Sequence, residues 1–160
     1  MTDLVHYYFA YGSNMNPVRV EQRNMSFHSA ESGSLRHYAL RFNKRSVKYP
    51  GAASANVVAT EHAITQGVVY RLIDPGQIET MDPYEGYPLR YNRLALPVKV
   101  DSGVVDAWVY IANDEYITEG LSPARWYLEH LLAGKAYLTA DYHSDLQQIQ
   151  CMPNSDKEPG

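Results

Sequence analysis

The stretch Tyr8 to Pro17 reads YFAYGSNMNP, and the way it leaves its aromatic run decides the fold. Val5, Tyr8, Phe9, Ala10 and Tyr11 predict a short buried strand, because β-forming residues run together and stop at turn residues. Asn16 followed by Pro17 has the composition of a helix start. The asparagine caps, and a proline at the first helical position lacks an N–H that has no partner there anyway. Gly12, Ser13 and Asn14 therefore form a loop from a strand end to a helix N-terminus. Such a junction gathers free backbone N–H groups and the positive end of a helix dipole, which suits a carboxylate or phosphate. A plain connector without a ligand has the same local spelling.

Outward from this loop, Ser26 to Ser34 and Tyr38 to Asn43 read as two strands, and NKRSVKYPGAAS (Asn43 to Ser54) reads as a long loop. ANVVAT and QGVVYRLI, centred on Val57 and Val69, read as two more short strands. Asp74, Pro75 and Gln77 spell a cap, a first helical position and a capping-box partner for a short helix ending near Asp82. YNRLALPVKV and VVDAWVYIA form a hairpin turning at Ser102 and Gly103. SPARWYLEHLLAG predicts a helix with Ser122 as cap, Pro123 next and Gly134 just beyond its end. A last helix is predicted from after Thr139 to about Gln150. Strand runs with helices outside a regular βαβ rhythm indicate an α+β fold.

A chain of 160 residues fills one core and is too short for two ordinary domains. One domain is expected over residues 1–152, with Pro153 to Gly160 as a disordered tail, since that stretch has proline, glycine and charge but no apolar face. A net charge of −4 and a pI near 5.8 argue against a nucleic-acid partner. Arg41, Lys44, Arg45 and Lys48, the nearest thing to a basic patch, read as a solvated face. Cys151 is the single cysteine, so neither an internal disulfide nor a cysteine-based zinc site is available, and a cytoplasmic setting is expected. The N-terminal segment has Asp3 and no basic region, unlike a signal peptide, and no run of eighteen apolar residues predicts a membrane span. Nothing here fixes the oligomeric state.

The usual chemical signatures are missing. His6, His28, His37, His62, His130 and His143 occur singly, never at metal-ligand spacing, so no metal and no cofactor is expected. There is no nucleophile elbow, Walker sequence or dinucleotide fingerprint. Ser13 has no neighbouring histidine or lysine to serve as its base. Fourteen tyrosines against three phenylalanines suit the wall of a polar pocket, because each adds a hydroxyl to an apolar ring. Glu85, in MDPYEG between two turn signals, reads on its own as a solvated carboxylate.

Taken together, YFAYGSN (Tyr8 to Asn14), ASANVVAT (Ala53 to Thr60), QGVVYRL (Gln66 to Leu72), MDPYEG (Met81 to Gly86) with Tyr91 after it, and AWVYIAN (Ala107 to Asn113) resemble the γ-glutamylcyclotransferase family in order and spacing. The likeness runs from Tyr8 to about Ile149. It implies a small mixed β-barrel flanked by helices, with a pocket lined by the Tyr11, Gly12, Ser13 and Asn14 loop and one catalytic glutamate, Glu85. Tyr110 and Tyr127 match pocket tyrosines of the family, and Tyr91 follows the glutamate motif. Two features depart from the pattern: Met81 stands where leucine is commoner, and Pro83 is unusual.

The implied reaction is cyclisation of a small γ-glutamyl compound to 5-oxoproline with release of an amine. The substrate's own α-amine attacks its side-chain carbonyl, so neither a metal nor an enzyme nucleophile is needed. The leaving group, an amino acid, a peptide or an amine, stays open. So does the alternative of a catalytically silent member that binds a small acidic metabolite or a protein partner.

Overall fold

The computed structural model of the chain describes residues 4–159. Met1 to Asp3, which the leader argument uses, and Gly160 lie outside that range. Strand β1 (Tyr7–Ala10) forms where its aromatic run predicts, stopping one residue before Tyr11. It pairs antiparallel with β3 (Ala53–Leu72) and parallel with β5 (Gly103–Ala112). Antiparallel ladders then join β3 to β2 (Phe27–Arg45), β2 to β4 (Tyr91–Val100) and β4 to β5. The ring closes in the order β1-β3-β2-β4-β5. Helices α1 (Pro17–Gln22), α2 (Ile78–Glu85), α3 (Arg125–Leu132) and α4 (Ala140–Gln147) flank it. The result is the α+β barrel that the resemblance implies. Among the described residues, no helix is long and apolar enough to cross a membrane.

The period-two alternation of strands splits the apolar residues into two cores. Phe9, Leu35, Val57, Val69, Val98 and Val109, drawn from all five strands, fill the barrel interior. Their neighbours Tyr8, Ala10, Val68 and Tyr70 face the helices and pack with Met15, Val20, Met81 and Leu128. At about 25 cal/mol per Å² of apolar surface removed from water, such side chains stabilise the fold by roughly 1.5–3 kcal/mol each.

Local signals hold in several places. Asn16 caps α1 by accepting from Val18 N, and Thr139 caps α4 by accepting from Tyr142 N. Elsewhere tertiary context prevails. The paired runs expected as four short strands are two long ones. Arg36 faces Ile64 and Tyr38 faces Ala59, so Thr60 to Ala63 stand opposite His37 alone, and the polar stretch bulges without ending either strand. The long loop shrinks to residues 46–52, because Lys44 and Arg45 continue the ladder against Ser54 and Ala53. The hairpin turn falls at Asp101 and Ser102, since Val100 pairs with Gly103.

Helix starts and stops also differ from expectation. Asp74 caps a 3-10 turn over Pro75–Gln77, while the Gln77 side chain accepts from Ser26 N instead of closing a capping box. Helix α2 continues past Asp82 and carries Pro83 within it, ending where Gly86 turns left-handed at φ 74°. Helix α3 starts at Arg125, not at Pro123, because its cap is remote. Arg125 N donates to Ser155 Oγ at 2.8 Å and Trp126 N to Ser155 O at 2.9 Å. The segment expected as a disordered tail thus lies against α3. Gly134 has φ −81°, so it is no left-handed stop. Its missing side chain instead admits Met15, whose Cβ would stand 2.9 Å from a Cβ at that position.

Candidate active site

All the site residues expected from sequence line one cavity of about 540 Å³. The loop after β1 contributes Tyr11, Gly12, Ser13 and Asn14, the end of α2 contributes Glu85, β4 and β5 contribute Tyr91 and Tyr110, and α3 contributes Tyr127. Ser13–Met15 forms a 3-10 turn, which the Tyr70 hydroxyl fixes by donating to Asn14 O at 2.6 Å. From that anchor the Asn14 side chain reaches inward. Its Nδ2 donates to the Tyr8 hydroxyl at 2.9 Å and to Glu85 Oε1 at 3.3 Å, while Arg23 donates to its Oδ1 at 3.1 Å. Loop and glutamate are therefore in direct contact.

The tyrosine hydroxyls are committed to the frame. Tyr11 donates to Tyr110 O at 2.6 Å and Tyr91 to Ala55 O at 2.7 Å, and the Tyr127 hydroxyl accepts from Ala55 N at 2.9 Å. Tyr110 donates to Asp82 Oδ1 at 2.7 Å, one turn before Glu85. Arg93 grips the same carboxylate through two bonds of 2.9 and 3.0 Å and stacks between Tyr87 and Trp108. The helix end that carries Glu85 is thereby pinned to β4 and β5. Gly12 has φ −115°. A Cβ there would stand 3.1 Å from the Tyr127 hydroxyl and 3.2 Å from Ala55 Cβ, so glycine lets the loop lie against α3 and β3.

Burial pushes the Glu85 carboxyl above the ordinary carboxylate range, against the opposing charges of Arg23, Lys44, Arg19 and Arg90. Burial likewise raises the phenols of Tyr8, Tyr11, Tyr91 and Tyr127, so they stay neutral at physiological pH. A carboxyl raised by burial, beside neutral hydroxyls and cations, is the kind of group that can serve in acid–base chemistry next to an anionic ligand.

Reading the sequence alone misses the cations. Arg19 comes from α1, Arg23 from the residue that ends it, Lys44, which the sequence places on a solvated face, from the buried side of β2, and Arg90 from the turn before β4, and no spacing pattern links them. It also misses Glu158. This residue reaches the cavity mouth from the C-terminal segment, 3.3 Å from Arg19 and 3.0 Å from His130. Burial works to raise its carboxyl, but the His130 hydrogen bond and the Arg19 charge hold it below the ordinary value. Among the described residues, no three metal-ligating side chains come together.

The family model described as gamma-glutamyl cyclotransferase, AIG2-like, matches residues 8–128. No curated protein matches the sequence. An uncharacterized human protein shares the fold with a TM-score of 0.81 and 22% identity, over 97% of this chain and 94% of that one. A gamma-glutamyl cyclotransferase aligns with a TM-score of 0.80 and 21% identity, over 95% of this chain and 92% of that one. A yeast gamma-glutamyl cyclotransferase specific to glutathione aligns with a TM-score of 0.67 and 14% identity, over 90% and 94%. At these identities the solved structures speak to fold alone.

Proposed function

The chain belongs to the gamma-glutamyl cyclotransferase, AIG2-like family, and on that premise we propose that it converts a γ-glutamyl compound to 5-oxoproline and a free amine. The contact between Asn14 and Glu85 carries the reading, because it sets a carboxyl of raised pKa against the Gly12–Asn14 loop. An α-ammonium, with an ordinary pKa of about 8, gives its proton to Glu85 and becomes nucleophilic. The nitrogen attacks the γ-carbonyl carbon, forming the ring C–N bond and a tetrahedral oxyanion. Backbone N–H groups of Gly12 to Asn14 stabilise that oxyanion or the substrate carboxylate. Glu85 then returns the proton to the departing nitrogen as the old C–N bond breaks. The ring nitrogen, which still carries two protons after the attack, gives the second to the carboxylate so freed and from there to solvent, leaving a neutral lactam N–H. Tyr11, Tyr91, Tyr110 and Tyr127 wall the pocket and keep the chain folded back on itself. Effective molarities of about 10⁵ M or more for oriented groups make that folding a large part of the rate.

The test is 5-oxoproline release from a panel of γ-glutamyl amino acids, peptides and amines, with and without prior dialysis against a chelator. Release from at least one compound, unchanged by the chelator, supports the proposal. Binding of these compounds without any release would return the chain to the silent-binder alternative.

A further inference from the structure

Lys44 occupies a position that the cyclisation chemistry does not account for. Its backbone pairs with Ser54 on one side and with Ile117 on the other, so it stands where residues 43–54 and 114–121 meet. Asn43, immediately before it, is locked in place. Its carbonyl accepts from Thr118 N at 2.8 Å, its Oδ1 accepts from Asn56 at 3.1 Å, and its Nδ2 donates to Glu119 at 3.2 Å. The ladder shifts register between Arg41 and Lys44, and past that irregularity the Lys44 side chain lines the cavity.

There the lysine is 5% exposed. Its Nζ sits 5.6 Å from the Tyr91 ring centre and 5.7 Å from that of Tyr116. No carboxylate lies within ion-pair distance of it among the described residues. Burying an ammonium without a counter-charge is unfavourable, and two aromatic faces offset only part of that penalty. Burial depresses its pKa to about 8, in keeping with an unmet charge.

The charge balance of the cavity points the same way. Glu158 engages Arg19, whereas Arg23, Lys44, Lys48 and Arg90 line the cavity with no ion pair among the described residues. A γ-glutamyl unit brings one carboxylate, and once its amine is neutral it carries a single negative charge. Several cations remain for any further anion of the substrate. Lys44 sits at the junction of the two segments that hold none of the Gly12–Asn14 loop or Glu85.

We propose that the leaving half of the substrate carries a carboxylate of its own and that Lys44 selects it, which makes an amino acid or peptide, not a simple amine, the group released. This rests on the cyclisation reading above. Its test uses a matched pair: γ-glutamyl-alanine and γ-glutamyl-ethylamine differ only by the leaving-group carboxylate. Each is measured twice, by calorimetric binding and by 5-oxoproline release, on the wild type, Lys44→Met and Lys44→Arg, with melting temperatures to confirm folding. The wild type is expected to favour the alanine compound by about 10- to 100-fold, as a charge-assisted hydrogen bond confers. Lys44→Met should reduce that preference to within about threefold, and Lys44→Arg should keep most of it. Equal loss for both compounds would assign Lys44 to the γ-glutamyl carboxylate or to structure, and overturn the proposal. So would a wild type that binds both alike, whatever the variants do. Absence of 5-oxoproline from both compounds counts against the cyclisation reading alone, since the binding preference is read independently of turnover.

Discussion

Asn14 and Glu85, 71 positions apart in sequence, are joined by a hydrogen bond of 3.3 Å from amide to carboxylate. Through it the loop after β1 and the end of α2 act as one unit. Replacing Glu85 by Gln keeps the size of the side chain and an oxygen to accept from Asn14, but removes the proton-accepting function. We expect single-turnover 5-oxoproline formation to fall by about 10³- to 10⁴-fold, the upper part of the range for an acid–base group because it serves both transfers. Calorimetric affinity for γ-glutamyl compounds should change little. A variant within about tenfold of wild type would show that Glu85 is no proton shuttle.

The same substitution has a stability signature. Burial raises the Glu85 pKa in the folded protein above its unfolded value. Folding is then most favourable below the ordinary carboxylate pKa, and that advantage is lost as pH rises through the raised folded value. Glu85→Gln should therefore melt above wild type at pH 7 to 8 and converge with it near pH 4. Parallel melting curves across this interval would contradict the assignment.

Gly12→Ala places a methyl group 3.1 Å from the Tyr127 hydroxyl and 3.2 Å from Ala55 Cβ. Tyr127 must give way, loosening its bond from Ala55 N. The expected result is a KM raised about tenfold or more with a melting temperature lowered by only a few degrees. A large loss of melting temperature with unchanged KM would make the loop structural.

Ser155→Ala removes the hydroxyl that accepts from Arg125 N at the start of α3. Loss of such a cap should lower unfolding free energy by about 0.5–2 kcal/mol, measured by urea titration. Gly134→Ala should lower it by about 1–3 kcal/mol through crowding against Met15. A neutral Gly134→Ala would mean that the turn relaxes freely.

Lys44, depressed to about 8 chiefly by burial and then by Arg90, with Glu85 opposing and Arg45 adding to the depression, loses its charge as pH rises through that value. Affinity for γ-glutamyl-alanine should decline above about pH 8 in the wild type. In Lys44→Arg that decline should shrink, because an arginine stays charged there.

The parts of the site that sequence makes legible are those written locally. The aromatic run, the Gly-Ser-Asn break and the Asn16–Pro17 cap are neighbours in the chain, whereas Glu85 reads by its own spelling as a solvated carboxylate and is singled out only by the family resemblance of MDPYEG, its Asp-Pro turn signal falling inside α2. What escapes is written between distant positions. Ser155 caps a helix 30 residues upstream, so Ser122 and Pro123 spell a helix start that the chain does not use. The Lys44 side chain lies in a strand whose polar spelling suggests a loop, and only the ladder to Ser54 reveals it. Polar residues around Glu61 suggest a break between strands, yet they stand out of the sheet while the pairing resumes on both sides. Gly134 looks like a helix stop by composition and proves to be a point of close contact with Met15.

The barrel seam lies between β1 and β5, and across it Tyr11 donates to the carbonyl of Tyr110, 99 positions later. Loop-closure entropy for so distant a pair must be met before either ladder of β1 is complete. The β4–β5 hairpin, whose strands are joined by a two-residue turn, can assemble early, whereas β1 waits for Val68 to Arg71 on one side and for Ala107 and Trp108 on the other, all distant in the chain. A partly folded chain with β1 undocked would therefore hold Glu85 without its loop. Recovery of ligand binding during refolding should follow the slowest structural phase, never precede it.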